Sequence, residues 1–180
     1  MSFVRLIVKQ AELRQPVPKN EGRERFNNLA KCLSMFDKTA LERSKEQEAI
    51  HQACTAVSLK SILGGDYDTL SNEVRSQNNW DGIGQELCVS MPRRFGKTTA
   101  LAMFIAAYLY TQPGKVLIVF APSKRQSRAI LNKVAEFLDT TLHLAKQDFI
   151  AKNQEDLWIR SINGQISKMS AYPARPETGT

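Results

Sequence analysis

Met91-Pro92-Arg93-Arg94-Phe95-Gly96-Lys97-Thr98 is the stretch on which the reading of this chain turns. It overlaps the apolar run Glu86-Leu87-Cys88-Val89-Ser90-Met91 and opens the apolar segment 98–110. That order predicts a strand, a tight loop and a helix. The first N–H groups of a helix have no intrahelical partner, and together with the helix dipole they bind phosphate oxygens. Gly96 lets the backbone approach such a ligand closely. Lys97 supplies a point charge for the β- and γ-phosphates, and the Thr98 hydroxyl is a ligand for Mg²⁺. Thr99 adds a hydroxyl near the α-phosphate. The pattern G-x-x-x-x-G-K-[ST] fails only at its first position, where Met91 stands in place of glycine.

The flanks extend this reading. Segment 98–110 is apolar on every face, as expected for a helix packed against a sheet, and it is too short to span a membrane. Gln112-Pro113-Gly114 closes it. Lys115-Val116-Leu117-Ile118-Val119-Phe120-Ala121 is a β-branched run, expected as a strand buried on both faces. Strand, loop, helix and strand make a βαβ unit with the loop at the strand's carboxyl end. Gly-Lys-Thr in an ordinary surface turn is the bland alternative.

Charge gathers around the same stretch. The chain of 180 residues carries a formal net charge of +7. No acidic residue lies between Glu86 and Glu136, whereas Arg93, Arg94, Lys97, Lys115, Lys124, Arg125, Arg128 and Lys133 do. A basic surface of this kind favours polyanions, either the nucleotide alone or nucleic acid as well. For Lys133 a solvated helix face is an equal reading.

The run Pro92-Arg93-Arg94-Phe95-Gly96-Lys97-Thr98 resembles the phosphate loop of viral terminase large subunits, the ATPases that pump DNA into preformed capsids. The herpesvirus-type branch, with its Pro-Arg-Arg-x-Gly-Lys-Thr form, is the nearest in pattern. The resemblance implies that Met91, Pro92, Arg93, Arg94, Phe95, Gly96, Lys97, Thr98 and Thr99 hold the nucleotide. It implies that Arg93 and Lys97 act on the γ-phosphate, and that ATP and Mg²⁺ are the cofactors. A guanidinium supplied in cis can offset the charge developing on a transferred phosphoryl group. Implied partners are double-stranded DNA, other terminase subunits and a portal, with homo-oligomerisation of the intact protein and no membrane. The implied location is the host nucleus for a herpesvirus-type protein, and otherwise a reducing intracellular compartment. The family also places an adenine-reading glutamine upstream of the loop. Gln47, Gln52 and Gln85 are candidates, each set against an ordinary exposed glutamine.

Phe120-Ala121-Pro122-Ser123-Lys124-Arg125-Gln126-Ser127 is similar to the segment that follows the second strand in terminases and related helicases. Ser123 reads as an N-cap of a helix running through Leu138. Its first turns are basic, which opposes the helix dipole, so phosphate contact competes with solubility as the explanation. Segments 156–162 and 165–171 flank Asn163-Gly164 and read as a hairpin. No apolar strand ends in an Asp-Glu pair that would hold Mg²⁺ and activate water. Glu155-Asp156 precedes its strand instead of ending it. The expectation is a fragment, a first-exon product or a truncated frame that binds nucleotide weakly and hydrolyses it poorly.

The expected fold is therefore α/β: a parallel sheet of P-loop NTPase type with flanking helices, incomplete, preceded by a helical N-terminal extension. Residues 1–80 form the extension and 81–180 the first half of the ATPase domain. Within the extension, 4–8 reads as a strand, 15–20 as a linker, 21–36 and 39–63 as helices, and 76–84 as a loop. Cys32, Cys54 and Cys88 lack metal spacing, and Cys88 reads as a small buried hydrophobe. His51 and His143 read as structural, and Trp80 and Trp158 as core. Two readings compete: a motor ATPase and a non-catalytic nucleotide- or DNA-binding module. A helicase-like ATPase is the third.

Overall fold

The structure is a computed structural model that describes residues 6–9, 21–39, 42–80, 82, 84, 86–90, 92 and 95–174. Met91, Arg93, Arg94 and Gln85 lie outside the described residues. So do the linker 15–20, residues 4 and 5 of the first strand, and 175–180.

Helix α5, Lys97–Thr111, is the centre of the molecule. Ala100 through Leu109 are all buried, because α1 (Glu21–Met35), α2 (Lys45–Val57), α6 (Lys124–Thr140) and the sheet pack around it. This explains its all-round apolar sequence. Segment 39–63 is not one helix. Ser44 starts α2 through a capping box, its hydroxyl accepting from Gln47 N–H while Gln47 Oε1 accepts from Ser44 N–H. The helix breaks at Ser58, and α3 covers Leu59–Leu63. Gly64, at φ +55°, ends α3 at the expected boundary of segment 39–63. A 3₁₀ turn then leads into α4, Tyr67–Asn78, which shortens the expected loop from its front.

The sheet has the order β1-β2-β5-β4-β3 among the described residues. The strands are β1 Leu6–Lys9, β2 Val116–Ala121, β3 Phe149–Lys152, β4 Asp156–Arg160 and β5 Ile166–Pro173. Only β2 and β5 are parallel, and the other pairs are antiparallel. The expected parallel sheet is thus corrected to a mixed one. The Asn163-Gly164 hairpin is present, with Ser161–Gln165 as its loop and Gly164 at φ +80°.

Residues 86–90 form no strand. Leu87 and Val89 pack against the core, but β2 is already flanked by β1 and β5, and β5 by β2 and β4. Neither central strand has a free edge for this segment, so the predicted βαβ unit reduces to a helix and a strand. Cys88 consequently points outward and is exposed.

Among the described residues, α6 packs on β2, β4 and β5, and α5 on β4 and β5. Leu117, Val119 and Ala121 of β2 face them and are buried, whereas Val116 and Phe120 are exposed. The expected burial of this strand on both faces is therefore not found. Trp158 alternates outward from β4 in the same way, beside Lys168, whose Nζ lies 4.7 Å from the ring centroid. Trp80 is half-buried, edge-on to Phe26.

Candidate phosphate-binding site

Gly96 is the N-cap of α5 and adopts φ +73°, ψ +17°. A left-handed residue at this position is what glycine supplies cheaply. No side chain caps the helix, and the first return bond is Ala100 N–H to the Gly96 carbonyl, at 2.8 Å. The N–H groups of Lys97, Thr98 and Thr99 thus precede the regular ladder. Phe95 and Thr98 are exposed, and Lys97 and Thr99 half-buried.

The opposite end of α5 is tied to the sheet. Ser167 Oγ donates to the Gln112 carbonyl at 2.9 Å, so α5 finishes beside the start of β5. The helix then carries the chain roughly 22 Å, and β2 spans about 20 Å. The carboxyl ends of β2 and β5 lie at the other end of the sheet, where Ala121 pairs with Pro173. Helix α6 starts at this end, capped by Ser123 Oγ accepting from Gln126 N–H as its sequence predicts. Ligands of open α/β sheets bind at strand carboxyl ends.

Glu155-Asp156 also reaches this end. The pair precedes its strand, but β4 is antiparallel to β5, so Asp156 pairs with Ser170 in the middle of β5 and Glu155 lies toward its carboxyl end. Strand polarity, not sequence order, decides the point. Both carboxylates are engaged. Asp156 accepts from Ser170 Oγ at 2.6 Å and lies 3.8 Å from Lys168 Nζ, and Glu155 lies 3.8 Å from Lys124 Nζ. Arg128 donates to Gln154, and Arg125 is exposed. No group of three metal-binding side chains occurs among the described residues. A single Thr98 hydroxyl fits Mg²⁺ only as one ligand beside phosphate oxygens and water.

Of the glutamines, Gln47 comes to the loop. Its capping box fixes Oε1, and its Nε2 would lie 2.7 Å from a Cβ placed on Gly96. Gln52 is exposed and lines a cavity with Phe26, Arg43, His51 and Trp80. One turn beyond Gln47, His51 is 1 % exposed. Its Nε2 lies 2.8 Å from the Ala100 carbonyl oxygen, and its Nδ1 lies 3.2 Å from Arg43 Nη1. Arg43 donates through Nε and Nη2 to both oxygens of Asp37, at 2.6 and 2.5 Å. Burial pushes the His51 pKa down to about 4, and the Arg43 charge acts in the same direction. The ring is therefore neutral, with Nε2 donating to Ala100 and Nδ1 accepting from Arg43. The Arg43 hydrogen bonds hold the Asp37 carboxyl below its usual range. His51 is buried and hydrogen-bonded, and its contact with the loop helix is not readable from its spacing. His143, by contrast, is exposed at φ +52°.

The described residues define an α/β protein with a mixed sheet and helices flanking it. No family model matches the chain, and no curated protein or solved structure shows significant similarity to it.

Proposed function

We propose that this chain is the ATP-binding part of a viral DNA-packaging terminase motor. In this reading it grips Mg²⁺-ATP through residues 91–99, and the intact protein couples hydrolysis to translocation of duplex DNA. The observation that carries the reading is Gly96, left-handed and without a side-chain cap, opening α5 directly before Lys97. The helix N-terminus and Lys97 supply complementary charge for phosphates. Thr98 gives one hydroxyl for Mg²⁺, and Arg93 answers charge on the γ-phosphate. Of the described candidate adenine-reading glutamines, Gln47 is the one whose amide nitrogen lies beside Gly96. The exposed Arg125 at the start of α6 is a candidate DNA-backbone contact.

A non-catalytic nucleotide- or DNA-binding module is the second reading. What favours it is that Glu155 and Asp156, the carboxylates at the start of β4, are both engaged by Lys124, Lys168 and Ser170.

Thermal melts with and without Mg²⁺-ATP test the shared premise. Saturating ligand at about a hundred times its dissociation constant stabilises by roughly 2.7 kcal/mol, which raises Tm by several degrees. No shift at millimolar ATP contradicts it. Turnover stimulated by duplex DNA favours the motor, and binding without turnover the module.

A further inference from the structure

Two residues of α2 meet the first turn of α5 in step. Gln47 stands against Gly96, and four residues later His51 stands against Ala100, four residues after Gly96. Helical neighbours at i and i+4 share a face, so one face of α2 lies along the first turn of α5. The His51 ring also sits 6.3 Å from that of Phe104, one turn further on.

The contact has features that packing alone does not require. The Ala100 carbonyl lies inside α5 and accepts a helical N–H already, so it does not need His51. A buried leucine would fill the same space without an imidazole, a guanidinium and a carboxylate to satisfy. The chain Asp37–Arg43–His51–Ala100 instead fixes the ring in one tautomer and one orientation. Such networks suit the fixing of one geometry better than the raising of stability. The backbone they fix carries the N–H groups of residues 97–99.

We propose that His51 is a positioning residue of the phosphate site: by donating from Nε2 to the Ala100 carbonyl, it holds the first turn of α5 where its N–H groups meet phosphate. The inference rests on the nucleotide reading of residues 91–99. His51 touches no phosphate, and it acts through α5.

Two amide substitutions separate this from simple core filling. Glutamine can carry its amide nitrogen to the place of Nε2, whereas asparagine reaches only the place of Nδ1. Mg²⁺-ATP affinity is measured by fluorescent-nucleotide titration well below the melting temperature of each protein. His51→Gln is expected to bind within about threefold of the parent and His51→Asn about tenfold more weakly, the worth of one hydrogen bond. Equal affinities for the two variants would overturn the proposal. Should His51→Asn fail to fold, His51→Leu fills the site without a donor and takes its place, with the same expected loss. Lys97→Ala serves as the control. If it binds ATP as the parent does, the nucleotide reading falls and this inference with it. If it loses affinity while the His51 variants do not, only the inference falls.

Discussion

Tyr108 donates its hydroxyl to Ser61 Oγ at 2.8 Å, joining α5 to α3 across the boundary expected at residue 80. Both groups are buried. Leu29, Phe36, Ile50, Cys54 and Ile62 belong to the same apolar cluster as α5, α6 and the inner face of the sheet. One core therefore serves both halves. Denaturant unfolding is expected to show one transition, coincident by tryptophan fluorescence and by circular dichroism. A fragment of residues 81–180 is expected to be unfolded, since α5 would expose the side that α1 and α2 cover. A folded fragment, or two separated transitions, would count against a shared core.

The bond itself has a modest expected worth. Tyr108→Phe keeps the ring and leaves Ser61 without its donor. The expected loss is about 1 kcal/mol, read as a lower urea midpoint at unchanged slope.

His51 makes stability depend on pH. Its folded pKa of about 4 lies below the ordinary value of 6.5. Between those values the unfolded chain binds more protons than the folded one, so stability rises with pH. The contribution is complete above about 6.5 and is lost as pH falls toward 4, amounting to roughly 3 kcal/mol over the full window. Asp37, also depressed, loses its contribution in the more acid range. The difference in unfolding free energy between pH 7 and pH 5 should shrink in His51→Gln. An equal difference in both proteins would place the His51 pKa elsewhere.

Gly96→Ala meets two obstacles. Its φ of +73° disfavours any Cβ, at a cost of about 1–2 kcal/mol. The methyl would also stand 2.7 Å from Gln47 Nε2, the far end of a side chain that can move. The backbone cost should therefore persist in Gln47→Ala, and a double-mutant cycle should return a coupling well under 1 kcal/mol. Strong coupling would mean that Gln47 is held more firmly than its capping box alone provides.

The elements that the sequence made legible are those whose signals are local. Ser123 as an N-cap, Gly64 as a helix stop, Asn163-Gly164 as a hairpin and the all-round apolar α5 each follow from a few neighbouring residues. What escaped depends on partners distant in sequence. Leu87 and Val89 have strand-like alternation, but β1 and β5 occupy both edges of β2. Phe120 and Trp158 look like core residues, yet they alternate outward and are exposed. Glu155-Asp156 precedes its strand as read, and only the antiparallel course of β4 sets which end of β5 it faces. At the candidate loop, the motif predicts the glycine that opens α5, and Gly96 is left-handed there. The meeting of His51 with Ala100 joins residues far apart in the chain, and only a weakly amphipathic α2 hinted at a buried face there.

The central claim is that Lys97 and the first turn of α5 hold a nucleotide triphosphate. Its most direct test is the Mg²⁺-ATP dissociation constant of the parent chain beside that of Lys97→Ala, measured at one ionic strength. Loss of a charge-assisted phosphate contact is expected to weaken binding about ten- to a hundredfold with Tm little changed in the absence of nucleotide. Equal constants for the two proteins, or no binding by the parent at millimolar ATP, would contradict the account.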